Sequence, residues 1–275
     1  MSVLPATLVE STGTDLPHET LHVVKGRRSG LTISIAVHST VLGPALGGCR
    51  VWTYDSWLEA VVDSLRLAEG MTLKNAAAGL NRGGGKTVVY VPRDVELTPT
   101  LRYQAMLDLG DAIESLGGSY MTAEDVGTSA EDMAVVATRT AHVCGLPSAD
   151  GGVGEPSDAT AAGVGGVLTD TVIDELRVKA VVGPANNQLA SRSGAGRLAA
   201  RGILWAPDFV VNAGGVIFLA MMNEEQPSAE ATAERVERIG DIVAEVFAVA
   251  EQRGITTLEA ADELALARLR EPANA

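Results

Sequence analysis

Apolar and polar positions alternate between residues 20 and 42, with Leu21 and Val23 followed by Leu31, Ile33, Ile35 and Val37. A period of two marks half-buried strands, and the Lys25-Gly26 and Arg28-Ser29-Gly30 steps supply a turn, so a β-hairpin is predicted. The period then lengthens. Leu58, Val61, Val62 and Leu65 recur at helical spacing from Trp57 to Ala68, and Gly70 is the expected stop. Thr87–Val91 reads as a short strand between Gly83-Gly84-Gly85-Lys86 and Pro92. Thr98-Pro99 opens a predicted helix over Leu101–Leu116, which Gly117-Gly118 ends. Asp150–Ser157, rich in Gly and Pro, is the clearest break in the chain. Beyond it the pattern predicts a short helix (Val167–Leu176), a buried strand (Lys179–Gly183) and a short helix closing at Leu198–Ala200. Extended runs follow at Gly202–Trp205 and Phe209–Val211. Strand–helix–strand in that order implies parallel pairing. The end is helical. Val236, Ile239, Val243, Val246, Phe247 and Ala250 share a face, Gly254 stops it, and Thr256…Glu259 has the form of a capping box.

Composition narrows the partners more than the fold. At 275 residues and 46% apolar the chain builds a sizeable core. Its 21 Lys and Arg against 35 Asp and Glu give a net charge of −14, which excludes a phosphate-tracking nucleic-acid binder. Two cysteines, Cys49 and Cys144, are too few for a disulfide framework or a zinc cluster. The four histidines have no ligand spacing, so no metal is expected. No run reaches the roughly 18 apolar residues of a membrane span. The first residues have no signal-like pattern, so a cytoplasmic location is expected.

Four segments carry candidate chemistry. Gly43–Arg50 pairs Gly47 with Gly48; the plain reading is a turn, the functional one a backbone that a ligand approaches closely. Gly70–Lys86 holds two lysines, Lys74 and Lys86, among small apolar residues. A buried ammonium is costly unless paired, and a desolvated lysine serves as base or polariser near neutral pH. The glycines before Lys86 fit a P-loop only loosely, with one glycine too many and a strand following. In Met121–Thr128, Glu124 and Asp125 point to opposite sides of an extended chain, so one of them faces a site. The plain alternative is a helix-capping Asp; the functional one is a proton shuttle near the lysines. Gly183–Gln188 follows a strand, where ligands bind in open parallel sheets. Asn212–Gly215, which opens a helix, offers a further amide.

Five ordered blocks together resemble the glutamate/leucine/phenylalanine/valine dehydrogenase family, nearest its phenylalanine, leucine and valine branch. They are Leu42–Trp52, Gly70–Val89, the Thr-Ala-Glu-Asp-Val-Gly-Thr segment, Gly183–Ala190 and Gly202–Ile217. The resemblance implies an α/β fold. A substrate-binding, catalytic and oligomerisation domain spans 1–150, a truncated Rossmann-like domain 151–225, and C-terminal helices 226–275. It implies an oxidoreductase that oxidatively deaminates an apolar L-amino acid to a 2-oxo acid and ammonia with NAD, as a homo-oligomer. Lys74 matches the lysine that holds the substrate carboxylate. Lys86 matches the lysine that activates water against the imino carbon, and Asp125 the carboxylate that relays protons. Gly47 and Gly48 match the glycines lining the substrate, and Asn187 and Asn212 the amides near the amino group and nicotinamide. Thr160 matches a threonine on the nicotinamide carboxamide. Leu46, Val216 and Leu219 fall where the side-chain pocket is lined.

One departure is large. About 30 residues separate Pro156 from Asn187, roughly one βαβ unit. The pyrophosphate turn and acidic ribose residue of a dinucleotide half are missing. Gly194-Ala195-Gly196-Arg197-Leu198-Ala199 has a Gly-x-Gly-x-x-Ala form but opens a helix after the Asn-Asn loop rather than after a strand. Two alternatives therefore stand beside the NAD-linked reading. One is an NAD-independent enzyme using the two lysines and Asp125 for imine or amine–carbonyl chemistry on an apolar amino, imino or 2-oxo acid. The other is an inactive amino-acid-binding paralogue.

Overall fold

The structure, a computed structural model, describes residues 17–147, 167–222 and 228–270. The chain forms two compact units. One takes in Met1–Thr72 and Arg82–Glu155, the other Leu73–Asn81 and Pro156–Ala275.

The first unit is built on five strands, β1 (Thr20–Lys25), β2 (Thr32–Ser39), β3 (Ala45–Thr53), β4 (Gly83–Val91) and β5 (Tyr120–Glu124). They lie in the order β1-β2-β4-β3-β5. The predicted hairpin is β1 with β2, antiparallel, while β3 pairs parallel with β4 and β5. The period of two sorts the side chains. Ile33, Ile35 and Val37 of β2 join Cys49, Val51, Val89 and Val91 in the main core, under α2 (Pro99–Glu114) and α3 (Ala130–Ala137). The alternate residues Ser34 and Ala36 face α1 (Trp57–Ala77): Ser34 Oγ lies 2.7 Å from Ser64 Oγ, and Ala36 packs on Val61, Leu65 and Ala68.

Two expectations are corrected here. Gly70 does not stop α1. A single glycine costs a helix about 1 kcal/mol, less than the packing of its apolar face returns. The helix ends at Ala77, where Gly79 takes φ +72° and the Leu80 N–H bonds the Asn75 carbonyl. Gly83–Gly85 are not a loop before a strand but its first half. A Cβ on Gly84 would stand 2.1 Å from the Thr72 backbone nitrogen, so the glycine lets α1 press onto β4.

The second unit contains α4 (Asp170–Glu175), β6 (Ala180–Val181), α5 (Ser193–Ala200), β7 (Leu204–Trp205), α6 (Asp208–Val211), α7 (Gly214–Met222), α8 (Ala229–Glu237), α9 (Ile239–Arg253) and α10 (Thr257–Arg270). β6 and β7 pair in parallel, as strand–helix–strand order requires. The predicted buried strand at Lys179–Gly183 shrinks to two residues, and Val182 is 65% exposed. Within the described residues β6 has a strand on one side only, so nothing buries its outer neighbours. Phe209–Val211 turns out helical rather than extended. Gly254 ends α9 at φ +65°, and Thr256 and Glu259 exchange the two bonds of a capping box. Among the described residues no helix is long and apolar enough to cross a membrane.

Candidate active site

Lys86 sits in the middle of β4, opposite Ala36 of β2, on the face that α1 covers rather than the core face. Its side chain is 6% exposed, and its Nζ lies 2.9 Å from Asp125 Oδ2. Burial of the ammonium is thus compensated by a carboxylate, as the sequence required. Asp125 follows β5 directly, on the opposite side of the chain from Glu124. The turn that carries it is tied down. The Asp125 N–H donates to Thr128 Oγ1, the Thr128 hydroxyl lies 2.9 Å from the Cys49 carbonyl, and Val51 donates to the Val126 carbonyl. The capping role open to Asp125 in the sequence belongs to Ser129, which opens α3.

Gly47 and Gly48 lie within β3, not in a turn. Their missing side chains leave space that protein fills. A Cβ on Gly48 would come 2.7 Å from Asp125 Cβ, and one on Gly47 1.7 Å from the Gly85 carbonyl oxygen. Gly48 therefore admits Asp125 to the strand face. Gly48→Ala is expected to displace Asp125 and lower turnover, and also to lower the melting temperature because the new Cβ would stand 2.8 Å from the Glu124 carbonyl oxygen; equal activity at wild-type stability would contradict this role.

Three residues that sequence reasoning passed over join the pair. Arg50, two residues beyond Gly48 on the same strand face, reaches Asp125 Oδ2 through Nε (3.2 Å) and Asp63 Oδ2 through Nη1 (2.9 Å). Tyr54 Oη donates to the same Asp63 oxygen at 2.7 Å. Burial alone would raise the Asp125 pKa, but Lys86 and Arg50 outweigh it and hold the carboxyl below the usual range. Asp63 behaves alike: burial is outweighed by Tyr54, Arg66 and Arg50. The signals were present in the sequence as an arginine in period with Gly48 and an aspartate inside an apolar helix repeat. Both cysteines are buried, and burial pushes the Cys49 thiol up and that of Cys144 up to about 12, so neither is a nucleophile. Leu46 is buried in this unit too.

Lys74, Asn187, Asn212, Val216 and Leu219 belong to the second unit; Thr160 lies outside the described residues. Lys74 is in the last turn of α1 and half-buried. Asn187, exposed, takes φ +54°. Asp208 clamps its loop by accepting the N–H groups of Asn187 and Gln188. Burial raises the Asp208 pKa, against the pull of those N–H groups and Lys74. Asn212 is buried; its Nδ2 donates to Asn186 Oδ1 at 2.8 Å, while its Oδ1 has no partner among the described residues. A buried unpaired carbonyl oxygen costs free energy until something donates to it. Val216 and Leu219 are buried in α7.

Family models match both parts of the chain: "Glu/Leu/Phe/Val dehydrogenase, dimerisation domain" over residues 18–142 and "Glutamate/Leucine/Phenylalanine/Valine dehydrogenase" over residues 156–275. The chain belongs to the Glu/Leu/Phe/Val dehydrogenase family. This is a family of amino-acid oxidoreductases. Leucine dehydrogenase of Thermoactinomyces intermedius is 34% identical to the chain, with 92% of this chain and 91% of the relative aligned. Phenylalanine dehydrogenase of Bacillus thermotolerans is 31% identical over 92% of this chain and 88% of its own. The crystal structure of L-tryptophan dehydrogenase from Nostoc punctiforme superposes with a TM-score of 0.78 at 25% identity, covering 99% of this chain and all of that one.

The family implies NAD, and the second unit can be tested for it. The Gly194–Ala199 segment does not cradle a phosphate, since both of its glycines lie inside α5. A Cβ on Gly194 would meet Leu189 and Ile173 side chains at 3.1 and 3.2 Å, so this glycine serves packing. Arg197 is spent on Asp174 and Asp170. Neither a glycine turn joining strand to helix nor a third parallel strand appears among the described residues of this unit. The residues described do not fit a dinucleotide. The leucine dehydrogenase match runs over 340 positions against a chain of 275, so at least 65 positions of the relative face no residue here.

Proposed function

We propose that this family member acts on an apolar 2-imino acid and its 2-oxo counterpart, exchanging imine for carbonyl at the α-carbon by hydrolysis, the redox-neutral deamination half of amino-acid dehydrogenase chemistry. The observation that carries the reading is the buried Lys86 paired with the half-buried Asp125, 2.9 Å apart beneath a glycine that admits the carboxylate. In its neutral form Lys86 takes a proton from water as the oxygen adds to the imino carbon. Asp125 accepts a proton and returns it to the nitrogen, which leaves as ammonia. The balance is iminium plus water to 2-oxo acid plus ammonium. Lys74 is assigned the substrate carboxylate, and the unpaired Oδ1 of Asn212 the substrate N–H. Asn187 is assigned a place beside the amino group, Gly47 and Gly48 the substrate backbone. Leu46, Val216 and Leu219 are assigned the side-chain pocket. Their aliphatic character, and relatives that are leucine, phenylalanine and valine dehydrogenases, support an apolar substrate.

NAD is the family's oxidant, and no turn to hold its pyrophosphate is seen among the described residues of the second unit. Titration with NADH, followed by its fluorescence, is expected to show weak binding or none. Titration with 4-methyl-2-oxopentanoate, followed by calorimetry, is expected to show saturable binding that Lys74→Ala weakens. Tight NADH binding with turnover of leucine would instead establish the NAD-linked reaction. We also expect self-association, supported by the match of residues 18–142 to a dimerisation domain; a monomeric mass by light scattering would contradict it.

A further inference from the structure

Lys86, Asp125, Arg50 and Asp63 form a chain of alternating charge in the first unit. Its contacts are Lys86 Nζ to Asp125 Oδ2 (2.9 Å), Arg50 Nε to the same oxygen (3.2 Å), and Arg50 Nη1 to Asp63 Oδ2 (2.9 Å). Asp63 is itself held from both sides, by Tyr54 Oη at 2.7 Å and by Arg66 Nη2 on Oδ1 at 2.8 Å. The members come from separate elements. Arg50 is on β3, Lys86 on β4, Asp125 follows β5, and Asp63 and Arg66 are on α1. Arg50 links the sheet to the helix that covers it. Its side chain is one-fifth exposed, so the contacts are partly desolvated and stronger than surface pairs.

A surface arginine with one partner would need no explanation. Arg50 is different because its planar fork spans two carboxylates, and one of these also contacts the buried lysine. Lysine, with a single point of charge, cannot make both bonds in fixed directions. The χ1 and χ2 torsions of Asp125 swing and turn its carboxylate toward or away from Lys86, and the Arg50 Nε bond selects the orientation in which Oδ2 meets Nζ.

We propose that Arg50 is a positioning residue for the reaction: braced by Asp63 and Tyr54, it fixes the Asp125 carboxylate on Lys86. The inference rests on the Lys86–Asp125 pair being the reacting machinery. Among the described residues, the charged and titratable groups facing Asp125 are Lys86, Arg50 and the buried Cys49 and Tyr120; those facing Arg50 are Asp125, Asp63 and Tyr54. Arg50 helps keep Asp125 ionised, so its loss lets Asp125 take up a proton at higher pH.

The test compares Arg50→Met, Arg50→Lys and Asp63→Asn for Lys86-dependent exchange of a 2-oxo acid across pH. Arg50→Met is expected to lower the rate constant roughly 10- to 100-fold, the scale of a misplaced group, with KM little changed and the acidic limb moved to higher pH. Arg50→Lys restores the position of the limb but not the rate. Asp63→Asn lies between. A second readout is independent of turnover: the carboxyl carbon of ¹³C-labelled Asp125, identified by its loss in Asp125→Asn, is titrated by NMR. Its midpoint is expected to rise in Arg50→Met. A folded Arg50→Met protein with an unchanged midpoint overturns the proposal. If the wild type shows no Lys86-dependent exchange, the functional reading fails, and the carboxyl titration still decides whether Arg50 governs Asp125.

Discussion

Lys86→Met is expected to lower the exchange rate by about 10²- to 10⁴-fold, the usual worth of a positioned general base, while leaving the protein folded. The substitution nearly keeps the side chain's volume and removes the ammonium. Two features let the fold tolerate it. The site faces α1 rather than the main core, so no close-packed layer depends on the charge. Asp125 also keeps Arg50, at 3.2 Å, and is not left as an unpaired buried carboxylate. Asp125→Asn should lose activity as well, but it removes the anion facing both Lys86 and Arg50 and is expected to cost more stability than Lys86→Met. A Lys86→Met protein with normal circular dichroism and a wild-type rate would show that Lys86 does no chemistry.

Gly47→Ala is expected to be the most damaging single methyl in the first unit. The new Cβ would fall 1.7 Å from the Gly85 carbonyl oxygen and 2.8 Å from its carbon. Both are backbone atoms, so no side chain can rotate away. The two strands concerned, β3 and β4, are paired at the centre of the sheet, with β2 beyond one and β5 beyond the other. Separating them breaks the parallel ladder and the core below it, which places the cost among the exceptional mutations of 4–5 kcal/mol or more. We expect little soluble protein, or a melting temperature lowered by about 10 °C or more, at about 2–4 °C per kcal/mol for a unit of this size. Gly70→Ala is the control. Its Cβ meets nothing within 4 Å, and it lies inside α1, so it should stabilise the protein by up to about 1 kcal/mol. Equal melting of Gly47→Ala and wild type would mean that the close approach of β3 and β4 is wrong.

The legible parts of this protein were those set by local pattern. Alternation gave the β1–β2 hairpin, Thr98-Pro99 the start of α2, and Thr256 with Glu259 the cap of α10. Lys86 and Asp125 stood out because a lysine among small residues needs a partner and a carboxylate on an extended chain can supply one. What was not legible depended on neighbours distant in sequence. Gly70 reads as a stop by propensity, yet helix α1 continues because Ser64, Leu65 and Ala68 pack on β2. Gly83–Gly85 read as a loop, yet they are a strand because Thr72 and the Tyr120 ring occupy the space their side chains would take. Residues Lys179–Gly183 have the composition of a buried strand, but among the described residues β6 has a neighbouring strand on one side only. The brace of Arg50, Asp63 and Tyr54 joins residues on a strand, a helix and the loop between them, which no single spacing rule reports.

The central claim is that the buried lysine and its carboxylate exchange substituents at the α-carbon of an apolar 2-oxo acid. Oxygen exchange reads this directly and needs no dinucleotide. 4-Methyl-2-oxopentanoate is incubated in H₂¹⁸O with the wild-type protein or Lys86→Met, and entry of label at the keto oxygen is followed by mass spectrometry. The account predicts exchange above the spontaneous rate with the wild type, and none above it with Lys86→Met. Spontaneous-rate exchange with the wild type, or equal acceleration by both proteins, would contradict it.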